Sequence, residues 1–313
     1  MEGDPTFPQP LGAPPSPAWA KNAGQTRAAE GAQGARGQGA QQARGQRAAG
    51  GGRGLRGPFR RAGMAGGWGP GRPIRGLRAV VTGGNRGIGR ALVEALLARE
   101  GTSVLAACRD VGRAESTLAS LLQEFPGRLA LSELDAASPE SIARWAGDGV
   151  GPGHIDLLIN NAGVYGSAGH TKRMNVEDVT EEEMLLCFRT NTVGPLIVVQ
   201  QLLKAGKLGG AAPSLVGNVT SKVGSVADNG SGGGYAYRAS KAAINVVNKS
   251  LSIDLAERNV ESVLLHPGWV QTDMTQGQGF ITARESAEGM LKILETPGMN
   301  GKWFDYKGEE VPW

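Results

Sequence analysis

From about residue 76 onward, short continuous apolar runs alternate with amphipathic helical runs, and this alternation leaves few architectures open. The apolar runs are Leu77–Thr82, Ser103–Cys108, Leu129–Leu134, Ile155–Asn160, Ser214–Val219 and Val260–His266. The helical runs are Arg90–Arg99, Ala114–Phe125, Ser138–Ala146, Glu181–Leu203, Tyr237–Glu257 and Ala283–Leu294. In the first of these, Leu92, Ala95, Leu96 and Arg99 recur at helical spacing and Gly101 supplies the stop. Strands that are apolar throughout must be covered on both faces, and helices between successive strands provide that cover. The pattern predicts an α/β chain with a single doubly wound parallel sheet, of Rossmann type, over residues 76–313. No solenoid-period repeat is visible.

Residues 1–75 read differently. They hold 18 of the 50 glycines, and 11 Lys and Arg against 3 Asp and Glu. The rest of the chain therefore carries 22 basic and 26 acidic residues. The sequence pI of about 9.2 belongs to this segment alone, so the folded part gives no electrostatic reason to expect a nucleic-acid partner. A Gly-, Ala-, Gln- and Arg-rich segment buries too little apolar surface to offset its ordering entropy, and 1–75 is predicted to be a disordered basic tail. Three other readings compete. The segment is Arg-rich and poor in acids, like a mitochondrial presequence, but its Gly and Pro content opposes an amphipathic helix. Arg53, Arg56, Arg60 and Arg61 among glycines could bind RNA weakly. Met64 could be the start used in practice, with the rest an upstream extension.

Cys108 and Cys187 cannot build a disulfide framework, and a reducing compartment fits them. No uncharged apolar run reaches the roughly 18 residues that would span a bilayer, so no membrane partner is expected. Met1–Pro5 is acidic and lacks an apolar core, so a secretory signal is not expected. The expected location is the cytoplasm, or the mitochondrion if the tail is a presequence.

The first strand runs into Thr82-Gly83-Gly84-Asn85-Arg86-Gly87-Ile88-Gly89 and then a helix. Glycines at this place let backbone N–H groups approach a pyrophosphate, while the helix presents its positive end to the charge. A glycine-rich turn alone is a weak signal, and its placement between strand and helix strengthens it. The second strand ends Ala107-Cys108-Arg109-Asp110. An NAD site usually sets an acid there for the ribose hydroxyl. Arg109 together with Arg86 instead suits the 2′-phosphate of NADP, held by charge-assisted bonds. NADP is the expected cofactor and NAD is disfavoured, although Asp110 facing the ribose would reverse that preference.

Tyr237-Arg238-Ala239-Ser240-Lys241 opens a helical run, and the i, i+4 spacing puts Tyr237 and Lys241 on one face. Free tyrosine, with a pKa of about 10, is a poor acid–base near neutrality. A neighbouring ammonium favours the phenolate, and a carbonyl reduction needs a proton donor at the oxygen. Ser221 lies 16 residues upstream at a strand end, in Ser221-Lys222-Val223-Gly224. Ser225 is the second candidate, because the interval to Tyr237 is lengthened by Asp228–Gly234. His266, which ends a strand beside Pro267, is assigned no chemistry, and no metal enters the reading.

Together these motifs resemble the short-chain dehydrogenase/reductase family over residues 77–313. Tyr235–Ala243, His266–Val270 and Gly301–Trp313 look like its C-factor/sniffer-like carbonyl reductase subgroup. The resemblance implies that Ser221 holds the substrate oxygen and that Asn191 positions a water beside Lys241. It implies that Asp135 meets the adenine, and that Asn161, Ala162 and Gly163 pack along the adenosine. Pro267, Gly268, Val270 and Thr272 are implied at the nicotinamide. The expected activity is NADP(H)-dependent interconversion of a small-molecule carbonyl and alcohol, as a carbonyl reductase of broad range. Two alternatives stay open: an NADP(H)-binding regulator, and an alcohol dehydrogenase for a steroid-like substrate. A short lid, Asp273–Ile281, suggests an accessible pocket, with Val223, Val226, Tyr165 and Trp269 as candidate lining. The family also implies a homodimer through Glu181–Leu203 and Tyr237–Glu257.

Overall fold

The structure, a computed structural model, describes residues 71–166 and 175–313. The expected disordered tail, the presequence and RNA-binding readings and the Met64 start concern residues 1–70, which lie outside the described residues. Residues 71–75 are described, and Ile74 there is buried in the core, so packing begins ahead of the expected boundary at 76.

The elements run β1 Arg78–Thr82, α1 Gly87–Leu97, β2 Ser103–Cys108, α2 Val111–Thr117, α3 Ala119–Glu124, β3 Leu129–Glu133 and α4 Pro139–Arg144. They continue with β4 Leu157–Asn160, α5 Glu181–Phe188, α6 Gly194–Lys204, β5 Ser214–Val219 and α7 Tyr235–Asp254. The last are β6 Val260–His266, α8 Ala283–Leu294 and β7 Trp303–Asp305. All strand pairs are parallel, in a seven-stranded sheet of order β3-β2-β1-β4-β5-β6-β7. Chain order reverses between β1 and β4, and in such sheets a ligand crevice opens there, beyond the carboxyl ends of the strands.

The buried strands sort their side chains between two helical layers. Val81, Ala79, Leu157 and Ile159 pack with α1 and α8, whose Leu92, Leu96, Met290 and Leu294 are fully buried. Val80, Leu105, Leu158 and Val216 pack with Ile142, Trp145, Val198 and Leu202 on the other face. Two buried charged residues, Arg78 and Asp156, fix the start of β1. The Arg78 guanidinium donates to the carbonyls of Val150 and Gly153, and its backbone N–H donates to Asp156. Burial lowers the Arg78 pKa, and the Asp156 carboxylate partly restores it.

Several helices differ from the sequence reading. The run expected over Ala114–Phe125 is two helices, broken at Leu118, and it begins earlier because Asp110 caps Val111–Thr117. The single helix expected over Glu181–Leu203 is interrupted by a π turn at Arg189–Val193. That turn brings Gly194 against the sheet edge loop, where a Cβ would meet the Ala136 carbonyl at 2.2 Å. The strand β7 was not expected. It is three residues long and pairs with Leu264, Leu265 and His266 at the sheet edge. The segments named for a dimer leave Leu185, Val193, Val246 and Ile253 exposed. No helix among the described residues is long and apolar enough to cross a membrane.

Candidate active site

The glycine turn after β1 is tied to the end of β4. The Thr82 hydroxyl accepts from the backbone N–H groups of Asn161 at 3.0 Å and Ala162 at 3.1 Å. The Asn161 amide donates back to the carbonyls of Thr82 at 2.9 Å and Gly83 at 3.2 Å. Asn161 therefore lines the cleft, but its side-chain donor is spent on shaping the turn. Gly83 and Gly87 sit at φ +66° and +52°, in the left-handed region that favours glycine. Gly89 is required for a different reason. A Cβ there would lie 2.1 Å from the Gly83 carbonyl and 2.5 Å from the Asn161 amide. Arg86, the N-cap residue of α1, is extended and gives no side-chain cap, so the first N–H groups of the helix are left for an anion.

A cleft of about 420 Å³ lies above these residues. Gly83, Asn85, Arg86, Gly87, Ile88, Gly89, Arg109, Asp135, Asn161, Ala162 and Gly163 line it, with Tyr237, Lys241, Pro267 and Thr272 at the far end. Arg86 bonds Asp273 at 3.2 Å across the mouth, an exposed pair of small energetic weight. Asp110 does not face the cleft. Its carboxylate accepts from the Arg113 N–H at 2.9 Å as a helix cap. Asp135 lines the cleft while one carboxylate oxygen accepts from the Ala137 N–H. The predicted cofactor residues Gly268 and Val270 line an adjoining cavity instead.

This second cavity, of about 530 Å³, joins the first at Tyr237 and contains Ser221. Tyr237 stands in the first turn of α7, and the Ser221 hydroxyl hydrogen-bonds its phenol. Lys241 follows one turn later, with its ammonium 5.6 Å from the Tyr237 ring centre, donating to the Val219 carbonyl at 2.9 Å. Asn191 lines neither cavity. It is buried, with its amide oxygen accepting from Val164 N–H and its amide nitrogen donating to the Val164 carbonyl and the Ser240 hydroxyl. Its oxygen sits 3.2 Å from where a Cβ on Gly163 would be, and the Lys241 ammonium 3.7 Å from the same point. Gly163 thus keeps the floor open between asparagine and lysine.

The electrostatics of the phenol differ from the sequence argument. A lowered tyrosine pKa is expected from the lysine. In the structure burial dominates and pushes the Tyr237 phenol up, with the Ser221 hydrogen bond pulling the other way. Burial also pulls Lys241 down to about 8. Between about 8 and the ordinary 10.5, the unfolded chain holds a proton at this lysine that the folded chain releases. The contribution of this group to stability therefore rises with pH in that window, by at most about 1.4 kcal/mol per pH unit. Urea midpoints of wild type and Lys241→Met measured at several pH values check this. The difference should move in favour of wild type as pH rises through the window, and a pH-independent difference would contradict it.

The backup serine, Ser225, and one lining candidate, Val226, need correction. Ser225 is no substitute for Ser221, because its hydroxyl faces away, donating to the Trp313 carbonyl and accepting from the Asp228 N–H. Val226 is 80 % exposed and lines neither cavity, because the turn that buries Ser225 points its neighbour outward. Val223, Tyr165 and Trp269 do line the second cavity, and the Tyr165 ring packs 4.7 Å from that of Tyr237. His266 lines it too. Its Nδ1 accepts from the Lys222 N–H, and burial lowers its pKa to about 4, so it is neutral near pH 7. Sequence reasoning missed Thr82 and Arg238. Arg238 sits inside the Tyr-x-x-x-Lys motif and binds the carbonyls of Gly233 and Val223 at 3.0 Å.

The family model for short chain dehydrogenase matches residues 78–279, which include every residue that lines the two cavities. The chain belongs to the short-chain dehydrogenase/reductase family. This dehydrogenase is 44 % identical over 163 residues to C-signal of Myxococcus xanthus, covering 51 % of this chain and 94 % of that protein. It is 34 % identical to the 1-hydroxy-2-glutathionyl-2-methyl-3-butene dehydrogenase of Rhodococcus sp., over 75 % of this chain and 98 % of the other. Among solved structures, the NADPH-bound carbonyl reductase from chicken fatty liver is similar, with TM-score 0.66 and 32 % identity, covering 77 % of this chain and 100 % of that one. The carbonyl reductase Sniffer of D. melanogaster has TM-score 0.67 and 29 % identity, covering 75 % and 99 %.

Proposed function

We propose that this dehydrogenase is an NADP(H)-dependent carbonyl reductase, with Ser221, Tyr237 and Lys241 as its catalytic residues. The observation that carries the reading is the meeting of these three side chains where the nucleotide-sized cleft joins the second cavity. The fit to NADP(H) rests on this chain's own groups. The uncapped start of α1 and the glycine turn suit the pyrophosphate. Arg86 and Arg109 suit a 2′-phosphate, and the acid that would favour NAD, Asp110, is occupied as a helix cap. The NADPH-bound chicken reductase supports the same choice.

When bound, NADPH supplies the hydride and, once oxidised, a positive charge at the nicotinamide. Ser221 donates a hydrogen bond to the substrate carbonyl oxygen, which accumulates charge as the carbon is reduced. Tyr237, kept protonated by burial, transfers its phenolic proton to that oxygen. The phenolate left behind is stabilised by the Ser221 hydroxyl and by the Lys241 ammonium on the same helix face. Asn191 holds the backbone at Val164 and the Ser240 hydroxyl, and so fixes the segment after β4 whose Gly163 lies beside the Lys241 ammonium.

The second cavity is lined by Val223, Tyr165 and Trp269 beside backbone at Gly232–Gly234. The charged groups that also line it bond within the wall, Lys222 to Asp228 and Arg238 to the Ser231 hydroxyl and the Gly233 and Val223 carbonyls, which supports little selection beyond the carbonyl itself and small aldehydes, ketones or quinones as substrates. Cofactor oxidation with a panel of these carbonyls tests the proposal, run with NADPH and separately with NADH. Turnover preferring NADPH is expected. A clear preference for NADH, or tight NADPH binding with no turnover of any carbonyl, would overturn it.

A further inference from the structure

We propose that Trp313, acting through Ser225, is a positioning residue that sets the substrate wall of the second cavity; this rests on the carbonyl reductase reading above. The wall is the stretch from Ser225 to Gly234, of which Asp228 and Ser231–Gly234 line the cavity. Within itself it makes turn contacts: the Asn229 N–H donates to the Val226 carbonyl, the Gly230 N–H to the Asp228 carbonyl and the Gly232 N–H to the Asn229 side chain. Gly232, Gly233 and Gly234 follow one another at φ +60°, +67° and +58°, a conformation that no regular element propagates. Those contacts shape the wall, and hydrogen bonds at its two ends tie it to the rest of the fold.

At the end nearer the catalytic helix, Arg238 donates to the Gly233 carbonyl and, at 2.7 Å, to the Ser231 hydroxyl. The other end is held by Trp313. Its carbonyl oxygen accepts from the Ala227 N–H at 3.0 Å and from the Ser225 hydroxyl at 3.3 Å. The same hydroxyl accepts from the Asp228 N–H at 3.0 Å, so one buried oxygen links Trp313 to the first residue of the wall that lines the cavity. Asp228 is further paired with Lys222 at 3.4 Å, next to Ser221.

Trp313 is itself placed by the sheet. Its ring packs 5.8 Å from that of Trp303, a buried residue of β7, and the Val311 N–H donates to the Trp303 carbonyl. This end of the wall is thus tied, through Ser225 and Trp313, to the β6–β7 edge. Neither Trp313 nor Ser225 lines either cavity. Loosening this contact should weaken carbonyl binding and leave cofactor binding and the proton transfer intact.

The full chain carrying Ser225→Ala or Trp313→Gly tests this, with Trp313→Phe as the conservative variant. KM for a carbonyl substrate, kcat, NADPH affinity by fluorescence, and hydrogen exchange over the wall are read for each. Loss of one or two such contacts should raise KM about 3- to 10-fold in the first two variants, with kcat and NADPH affinity held within about twofold. Wall amides should exchange faster, and Trp313→Phe should stay near wild type. Faster exchange with unchanged KM would mean a merely structural contact and would overturn the proposal. So would an equal loss of NADPH affinity. If wild type reduces no carbonyl, it is the functional reading that fails; exchange then decides the contact alone, and unchanged protection in Ser225→Ala overturns it.

Discussion

Tyr237→Phe is expected to lower kcat for carbonyl reduction by about 100- to 10,000-fold, the range lost with a positioned general acid. NADPH affinity should change little. The substitution removes the proton and the Ser221 hydrogen bond and keeps the ring, which packs against Tyr165 and lies beneath the Lys241 ammonium. The helix start that carries it has no side-chain cap to disturb. Stopped-flow measurement of the chemical step, alongside a fluorescence titration with NADPH, separates the two effects. Retained turnover would move the proton donor away from Tyr237, and His266 would not replace it, because burial holds its pKa near 4.

The second large effect concerns cofactor choice. In Arg86→Ala/Arg109→Ala, kcat/KM with NADPH should fall about 100- to 1000-fold, the loss of two charge-assisted contacts to one phosphate. With NADH it should change little, since no 2′-phosphate is there to be held. Arg109 should account for more of the loss than Arg86. Arg86 already shares its charge with Asp273 at the mouth, whereas Arg109 has no such ion pair among the described residues. Steady-state kinetics of the two single variants and the double, with both cofactors, check this. An equal fall with NADH would mean that the arginines support the turn rather than read the phosphate.

Much of this was legible in the sequence because the chemistry is local there. The glycine turn, the Arg109–Asp110 pair and the Tyr-x-x-x-Lys helix each occupy a few adjacent residues, and each lies at the junction of strand and helix where the alternation puts it. The runs Ser103–Cys108, Ser214–Val219, Val260–His266 and Ala283–Leu294 coincide with β2, β5, β6 and α8 because turn residues or caps bound both ends. What was not legible depends on contacts far apart in the chain. The π turn at Arg189–Val193 is hidden by apolar spacing that continues across it, and its cause is the close approach of Gly194 to Ala136. Strand β7 is too short to show a period, and only pairing with β6 defines it. Ser225 resembles Ser221 as a residue type, and only the carbonyl of Trp313, 88 positions away, turns it from the site. The Tyr237 pKa went the other way from the sequence argument for the same reason. Helical spacing shows that the lysine is near, but it does not show how thoroughly the phenol is removed from water.

The central claim is that a hydride passes from NADPH to a carbonyl held by Ser221 and Tyr237. The most direct test uses NADPH deuterated at the transferring carbon, with a turned-over aldehyde or ketone, and reads the product alcohol by mass spectrometry and NMR. The account predicts one deuterium on the carbinol carbon of the product, formed by wild type and not by Tyr237→Phe. A product alcohol without deuterium, or no alcohol from any carbonyl while NADPH binds tightly, would contradict it.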